Sequence, residues 1–371
     1  MDKQHLITGA TGLIGRHILF ELLQRLLDGQ DRARLLLLIR PSNGLTGAER
    51  LEQILMKEQL PRRLLEHSRE EMLEQVQVIE GDISSRGEVE SIRALLHDGQ
   101  AHVIHCAAAT TLSQTAHAEQ VVIENNYEGT RNLLEGLDGC YEAFTFISSV
   151  YSCGVQQGLI GCSYLDQPVG SFRNPYERYK RLAELEVREH CGRRGVRWQI
   201  LRPSITCGRL VEEPLYVTSK FDVFYGFLSF FHSLGQKDLD PIRIEHNPQS
   251  GLNIVPVDYV ARSVVELLDQ PDIEVNIAHS RTTPHAEWIP RAFGKIGYAS
   301  FELVNAAPVE PNQAELLYYE KAGRAFTPYL VAPSHEFDVE PLLRLTGLEE
   351  PEVMGNIEPL VDYALKRGFR A

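Results

Sequence analysis

The chain has 371 residues, 43% of them apolar and 24% charged, and its 37 basic against 51 acidic residues give a formal charge of −14. That length suits a full core, one large domain with a smaller one appended, and the composition excludes disordered and fibrous classes. The acidic balance excludes a general nucleic-acid binder, which needs a basic footprint.

In chain order, residues 5–8 read as a short strand, and Ile14, Ile18, Leu22 and Leu26 then recur at four-residue spacing, the core stripe of a helix. Residues 35–39 are unbroken apolar, as in a strand buried on both faces of a parallel sheet. Further strands are expected at 76–79, 102–107 and 144–149, with helices at 87–96 and 119–137 between them. A helix at 178–190 and a strand at 198–201 follow. This βαβ alternation predicts an α/β fold, a Rossmann-type doubly wound parallel sheet with helices on both faces. After Pro203 the rhythm changes: residues 205–250 read as irregular and carry the aromatic run from Phe221 to Phe231. That run reads as core under a small domain or, more sharply, as the wall or lid of an apolar ligand site, with peripheral membrane contact as a third reading. Strand (254–257), helix (258–268) and strand (274–278) then return, and helix signals recur at 313–322, 340–345 and 357–367. The expected division is a dinucleotide-binding domain, 1–204 with about 251–279, and a smaller, partly helical substrate domain, about 205–250 with 280–371.

The six cysteines show no CxxC spacing, so free thiols are expected. His102 and His105 fall on opposite faces of an expected strand, so no shared metal is expected. With no secretory pattern at the start and no apolar run of membrane length, the cytoplasm is the expected location.

Residues 8–15 read Thr8-Gly9-Ala10-Thr11-Gly12-Leu13-Ile14-Gly15, three glycines between a strand and a helix start. Gly9 suits a tight turn, Gly12 a backbone that approaches a pyrophosphate, and Gly15 close packing of helix on strand. The phosphates would then sit on free N–H groups at the helix N-terminus. The second strand ends in Arg40, where an acidic residue would accept from a ribose 2′-hydroxyl. Arginine suits a 2′-phosphate, which points to NADP(H). Arg16 either assists or is a solvated helix residue, and Asp82, in Gly81-Asp82-Ile83, either accepts from the adenine amino group or caps a helix. His105-Cys106-Ala107-Ala108-Ala109-Thr110 ends a central strand in small residues, against which a flat cofactor can lie.

Tyr176 and Lys180 stand four apart and so share one helix face. A phenol with a pKa near ~10 is a poor acid/base at neutral pH. A nearby ammonium, and the oxidised nicotinamide when present, lower that value. Lys180 can also hold the cofactor ribose. Ser149, closing Phe146-Ile147-Ser148-Ser149, can donate to a substrate carbonyl oxygen. Asn126, in Asn126-Tyr127-Glu128-Gly129-Thr130, either orients a water or backbone group behind the lysine or bends and caps its helix.

With these marks in this order, and with Arg202-Pro203-Ser204 after them, the chain resembles the extended branch of the short-chain dehydrogenase/reductases over roughly residues 5–275. Within that branch it most resembles the thioester reductases: the terminal reductase domains of carboxylic acid reductases and nonribosomal peptide synthetases, and the related fatty acyl reductases. Leu201-Arg202-Pro203-Ser204-Ile205-Thr206-Cys207-Gly208 looks like that group's Arg-Pro-Ser-Ile-x-x-Gly segment. Asn253-Ile254-Val255-Pro256-Val257-Asp258-Tyr259-Val260 looks like its Val-Pro-Val-Asp-Tyr-Val segment, and a helical insertion at about 42–75 is shared as well. The resemblance implies a catalytic set of Ser149, Tyr176, Lys180 and Asn126. It implies NADP(H) held by the glycine motif, Arg16, Arg40, Asp82, Ile83, Ala107, Ala108, Ala109, Tyr176 and Lys180, with Pro203, Ser204 and Ile205 beyond them.

The reaction implied is transfer of hydride from NADPH to an acyl thioester, collapse of the hemithioacetal to aldehyde and thiol, and a second reduction to alcohol left open. A carrier-bound acyl group would be presented in trans by an acyl or peptidyl carrier protein, for which Arg62-Arg63 and Arg193-Arg194 are the candidate basic surfaces. The alternatives are a carbonyl reductase, a hydroxysteroid-type dehydrogenase or a sugar-nucleotide epimerase or dehydratase on the same scaffold, and a non-catalytic dinucleotide sensor.

Overall fold

The computed structural model describes residues 3–56, 58–96, 100–168, 170–235 and 240–370. Its central strands are β1 (Gln4–Thr8), β2 (Arg34–Ile39), β3 (Val76–Glu80), β4 (Ala101–His105), β5 (Tyr141–Ile147), β6 (Arg197–Pro203) and β7 (Ile273–Ile277). Among the described residues these seven form one sheet in the order 3-2-1-4-5-6-7, each neighbouring pair parallel. The order reverses between β1 and β4, the switch point at which open α/β sheets bind ligands.

The helices are α1 (Leu13–Leu27), α2 (Gly47–Ile54), α3 (Arg69–Glu74), α4 (Arg86–Ser91), α5 (Ala116–Val122), α6 (Gly129–Gly136), α7 (Pro175–Arg194), α8 (Phe224–Leu234) and α9 (Val257–Leu267). They continue as α10 (His285–Ile296), α11 (Gln313–Glu320), α12 (Ala322–Leu330), α13 (Glu340–Thr346) and α14 (Ile357–Lys366). Alternation along the strands sets the two faces. Ile7, Leu35, Leu37 and Ile104 pack with α1 and α9, whereas Leu6, Leu36, Val103 and Phe144 pack with α4, α6 and α7. The insertion after β2 folds as α2, a 3₁₀ turn and α3, and tucks Leu51, Ile54, Leu64 and Met72 into the first of these cores.

A separate apolar layer gathers Phe227, Phe231, Trp288, Phe293, Tyr318 and Leu360 from α8, α10, α11 and α14. Residues 205–250, expected to be irregular, therefore contain a helix over most of the aromatic run. Phe224, Tyr225, Phe227, Leu228, Phe231 and Leu234 are buried on one face at helical spacing, and Ser229, Phe230, His232 and Ser233 on the other face are exposed or half-buried. The chain returns late to the larger core: His335–Phe337 pairs with Gly158–Ile160 in a separate two-stranded ladder, and Leu342 of α13 joins the core around α9.

Two differences bear on the site. The helix expected at 178–190 begins earlier, at Pro175, because Asn174 caps it by accepting from Glu177 N–H at 3.1 Å and proline fits the first position. Tyr176 thus lies in the first turn. The helix expected at 119–137 is interrupted by a π-helical turn, Ile123–Glu128, which contains Asn126. No helix among the described residues is long and apolar enough to cross a membrane.

Candidate active site

The glycine turn leads from β1 into α1. Gly9 has φ +73°, and a Cβ there would lie 2.5 Å from Ala107 N; a Cβ on Gly15 would run into the Gly9 carbonyl. These two glycines bring β1, α1 and the end of β4 together. Gly12 is exposed and its added Cβ would meet little besides the Gly9 oxygen at 3.2 Å, so the space above the helix start is open. Among the described residues no side chain caps α1 and its first turn carries no acid. The free amides and the partial positive charge of a helix start fit a dinucleotide pyrophosphate.

Beneath this turn runs a chain of hydrogen bonds with one direction. Ala107 N–H donates to Thr8 Oγ1 at 3.3 Å, Thr8 Oγ1 lies 2.7 Å from His105 Nδ1, and His105 Nε2 lies 3.0 Å from Thr130 Oγ1. Thr130 Oγ1 donates to the Asn126 carbonyl at 2.6 Å. Burial holds the His105 imidazolium pKa down at about 3, so the ring is neutral; Thr130 uses its proton on Asn126, which assigns the ring proton to Nε2. Asn126 then grips both backbone groups of Ala109: Oδ1 accepts from its N–H at 2.7 Å and Nδ2 donates to its carbonyl at 2.9 Å. Asn126 thus holds a backbone group, that of Ala109, and also lies in the π-helical turn that interrupts its helix. Thr8, expected as a cofactor contact, is fully buried and its hydroxyl is committed to this hydrogen-bond chain.

Ser149, just past the end of β5, lies close enough to the Tyr176 phenol to act on its titration. Burial pushes that phenol up, the Ser149 hydroxyl acts against the shift, and the Asp222 charge adds to it, so the group is a protonated acid. Lys180 lies one turn on, buried, donating to the Ile147 carbonyl at 2.8 Å and 4.6 Å over the Phe146 ring. Burial lowers its ammonium to about 8, with Cys106 and Glu184 acting the other way.

Ser149 and Tyr176 open into a cleft of about 200 Å³. Gly12, Leu13, Ile14, Ala108, Pro203, Ser204 and Ile205 line its sheet side, and Phe224, Phe227, Trp288, Phe326 and Leu330 form the far wall. Helix α8 both fills the smaller core and, through Phe224 and Phe227, lines the cleft.

Arg40 pairs with Asp82 at 2.9 Å, and Asp82 also accepts from Ser84 N–H at 2.9 Å. The carboxylate therefore closes a local turn and steadies Arg40 instead of capping α4, whose N-cap is Ser85. Ile83 is buried and its carbonyl accepts from Asn132. Arg16 donates to the Thr11 carbonyl at 3.1 Å, and a third arginine, Arg50, donates to Thr11 Oγ1 at 3.1 Å and to the Arg40 carbonyl. Sequence reasoning missed Arg50. Its signal was the capping box of Thr46 and Glu49, which starts α2 beside the end of β2 and puts Arg50 in the first turns. The two basic doublets proposed for carrier docking are engaged elsewhere: Arg62 with Glu213, Arg63 with Glu21 and Glu212, Arg193 with Glu189 and Arg194 with Asp138.

This sheet order, glycine turn and Ser-Tyr-Lys arrangement are those of an extended short-chain dehydrogenase/reductase, a class of enzymes that bind a nicotinamide dinucleotide. The male sterility protein family, an NAD-binding family, matches residues 7–264, and the chain belongs to it. No curated protein matches the chain. Among solved structures it is similar to the terminal R domain from the myxalamid PKS-NRPS biosynthetic pathway, at 20% identity over 99% of this chain and 92% of that one, with TM-score 0.70. It is also similar to the dTDP-glucose 4,6-dehydratase DesIV from Streptomyces venezuelae (16% identity, 99% and 98% covered, TM-score 0.69). A third is the UDP-glucuronic acid 4-epimerase from Bacillus cereus, seen with UDP-glucuronic acid and NAD (17% identity, 98% and 99% covered, TM-score 0.66). At these identities the likeness is one of fold.

Proposed function

We propose that the chain is an NADPH-dependent reductase of acyl thioesters, carried on coenzyme A or on an acyl or peptidyl carrier protein. The observation that carries this reading is the cleft itself, which joins the Ser149–Tyr176 pair to a wall of Phe224, Phe227, Trp288 and Phe326, a surface for an acyl chain. A sugar nucleotide would find few polar partners on that wall. The sheet domain would hold the cofactor, and the layer built from 205–250 and much of 280–371 the acyl group.

When bound, the reduced nicotinamide supplies the hydride that the carbonyl carbon receives. Ser149 and Tyr176 donate to the carbonyl oxygen as negative charge develops there, and Tyr176 gives up its proton. Lys180 stabilises the phenolate left behind, and Asn126 keeps Ala109, and with it the segment that flanks the ring, in place. The resulting hemithioacetal loses its thiol to leave an aldehyde.

The test is NADPH oxidation by purified protein with acyl-CoA and acyl-carrier thioesters of several chain lengths, with the matching aldehydes alongside. Turnover of thioesters that rises with chain length is expected. Turnover of aldehydes alone would make the protein a carbonyl reductase, and turnover of sugar nucleotides in place of either would remove the reading. Arg16, Arg40 and Arg50 around Thr11 support the choice of NADPH, since guanidinium groups suit a 2′-phosphate. Arg50→Ala is expected to raise KM for NADPH about tenfold and to leave KM for NADH nearly unchanged. Equal changes in both would take Arg50 away from the phosphate.

A further inference from the structure

Beside the apolar wall, the same cleft has a polar lining of a different kind. Thr110, Lys220 and Asp222 all face it, and Lys220 is the one cation among its described lining residues. Lys220 Nζ pairs with Asp222 Oδ2 at 2.8 Å and also donates to Thr110 Oγ1, which donates to Asp222 Oδ2 at 3.2 Å. Thr110 follows Ala109, the residue that Asn126 clamps, while Lys220 and Asp222 come from the loop before α8. The cluster thus bridges the two halves of the cleft.

The loop is held at a cost. Val223, β-branched and next to Asp222, has φ +50°, in the left-handed region that such residues avoid. Strain of this kind persists where surrounding structure fixes it and gathers at ligand sites. The Lys220 and Asp222 side chains keep about two fifths of their surface exposed (43% and 39%), so neither is sealed in the bridge. The Asp222 charge is felt at Tyr176 and the Lys220 charge at Cys106, which puts the cluster beside the reacting centre.

An acyl thioester has two substituents on its carbonyl carbon. One is the acyl chain, matched by the aromatic wall. The other is the sulfur arm, which in coenzyme A and in carrier proteins alike bears a secondary amide two carbons beyond the sulfur. A secondary amide presents one acceptor and one donor. An ammonium that donates beside a carboxylate that accepts is the complementary pair. We propose that Lys220 and Asp222, steadied by Thr110, recognise the amide of the thioester's sulfur arm and so select thioesters over simple carbonyl compounds.

This rests on the reading of the protein as a thioester reductase, and the test separates the two. The probes are two thioesters of one acyl chain, an N-acetylcysteamine thioester, which has the amide, and an S-butyl thioester, which lacks it, together with the free aldehyde. The wild-type enzyme is expected to favour the amide-bearing thioester in kcat/KM by about tenfold. Lys220→Met and Asp222→Ala should each bring that ratio close to one, and Lys220→Arg should restore most of it. A ratio near one in the wild type, or a preference that survives both substitutions, overturns the proposal while the thioester reading stands. Reduction of the aldehyde but of neither thioester overturns the reading itself, and the proposal with it. Lys220→Met assayed on acyl-CoA and on the acyl-carrier protein should lose kcat/KM by the same factor on both. A loss on one alone would place the contact on the nucleotide or the carrier surface, and would also overturn it.

Discussion

Tyr176→Phe is expected to lower kcat by roughly 10²–10⁴-fold, the range of a lost general acid, with cofactor affinity nearly unchanged. The substitution removes one hydroxyl from a ring at the start of α7 and leaves the Asn174 cap and the Lys180 contact with Ile147 untouched. The proton donor and one of the two hydroxyls at the carbonyl oxygen go together. Steady-state turnover and cofactor fluorescence titration measure the two quantities, and a variant that kept kcat within about threefold would remove Tyr176 from the chemistry. The same site sets an alkaline limit. The buried Lys180 ammonium titrates at about 8, and its charge favours the phenolate that forms as the proton leaves. It is present below that pH and lost above it, so kcat should fall as pH rises through about 8. A flat profile up to the ordinary lysine range would mean that the charge plays no part.

Arg202→Met is expected to destabilise the fold by about 3–5 kcal/mol, the cost of stranding a buried charge. Arg202 and Glu184 are both fully buried. The guanidinium donates through Nε to Glu184 Oε1 at 2.9 Å, through Nη2 to Glu184 Oε2 at 3.1 Å and to Glu274, and through Nη1 to the Cys162 carbonyl at 2.6 Å. It also stacks 4.0 Å over the Tyr164 ring. Glu184 lies one turn beyond Lys180, so this cluster ties the catalytic helix α7 to β6 and β7. Urea unfolding measures the loss. The double variant Arg202→Met/Glu184→Leu should recover part of it, because it removes one of the two carboxylates left without their partner. A single variant within about 1 kcal/mol of wild type would show that the cluster contributes little.

What the sequence made legible were features with a local period or a fixed spacing. Residues 35–39 could be read as a doubly buried strand because both faces are apolar, and the three glycines because their spacing stands between a strand and a helix start, although the close approach of Ala107 to Gly9 has no local sign. Helix α8 was harder to read: its buried face recurs at helical spacing, but Gly226 and Phe230 stand on the outer face, so apolar side chains occur on both sides of a short helix. Arg50 could be placed on a helix by its capping box, but the direction of its side chain toward Thr11 depends on how the insertion packs against β2. The early start of α7 was readable from Asn174-Pro175 and was passed over. Contacts between distant stretches, such as Lys220 with Thr110 or His335–Phe337 with Gly158–Ile160, have no local signature at all.

The π-helical turn at Ile123–Glu128 has a consequence for timing along the helix. Each residue of an α-helix turns the chain by about 100°, and a wider turn takes in one residue more than an α-turn would. Helix α6 therefore runs about one residue out of phase with α5. On one side of that slip α5 keeps Ala118 and Val122 in the protein interior; on the other, α6 turns Thr130 toward His105 and packs Leu133 and Leu134 against the sheet. Asn126 sits within the slip, with its side chain on Ala109 and its carbonyl on Thr130. The inserted residue acts as a phase setter, letting a single helical run satisfy two surfaces whose registers do not agree.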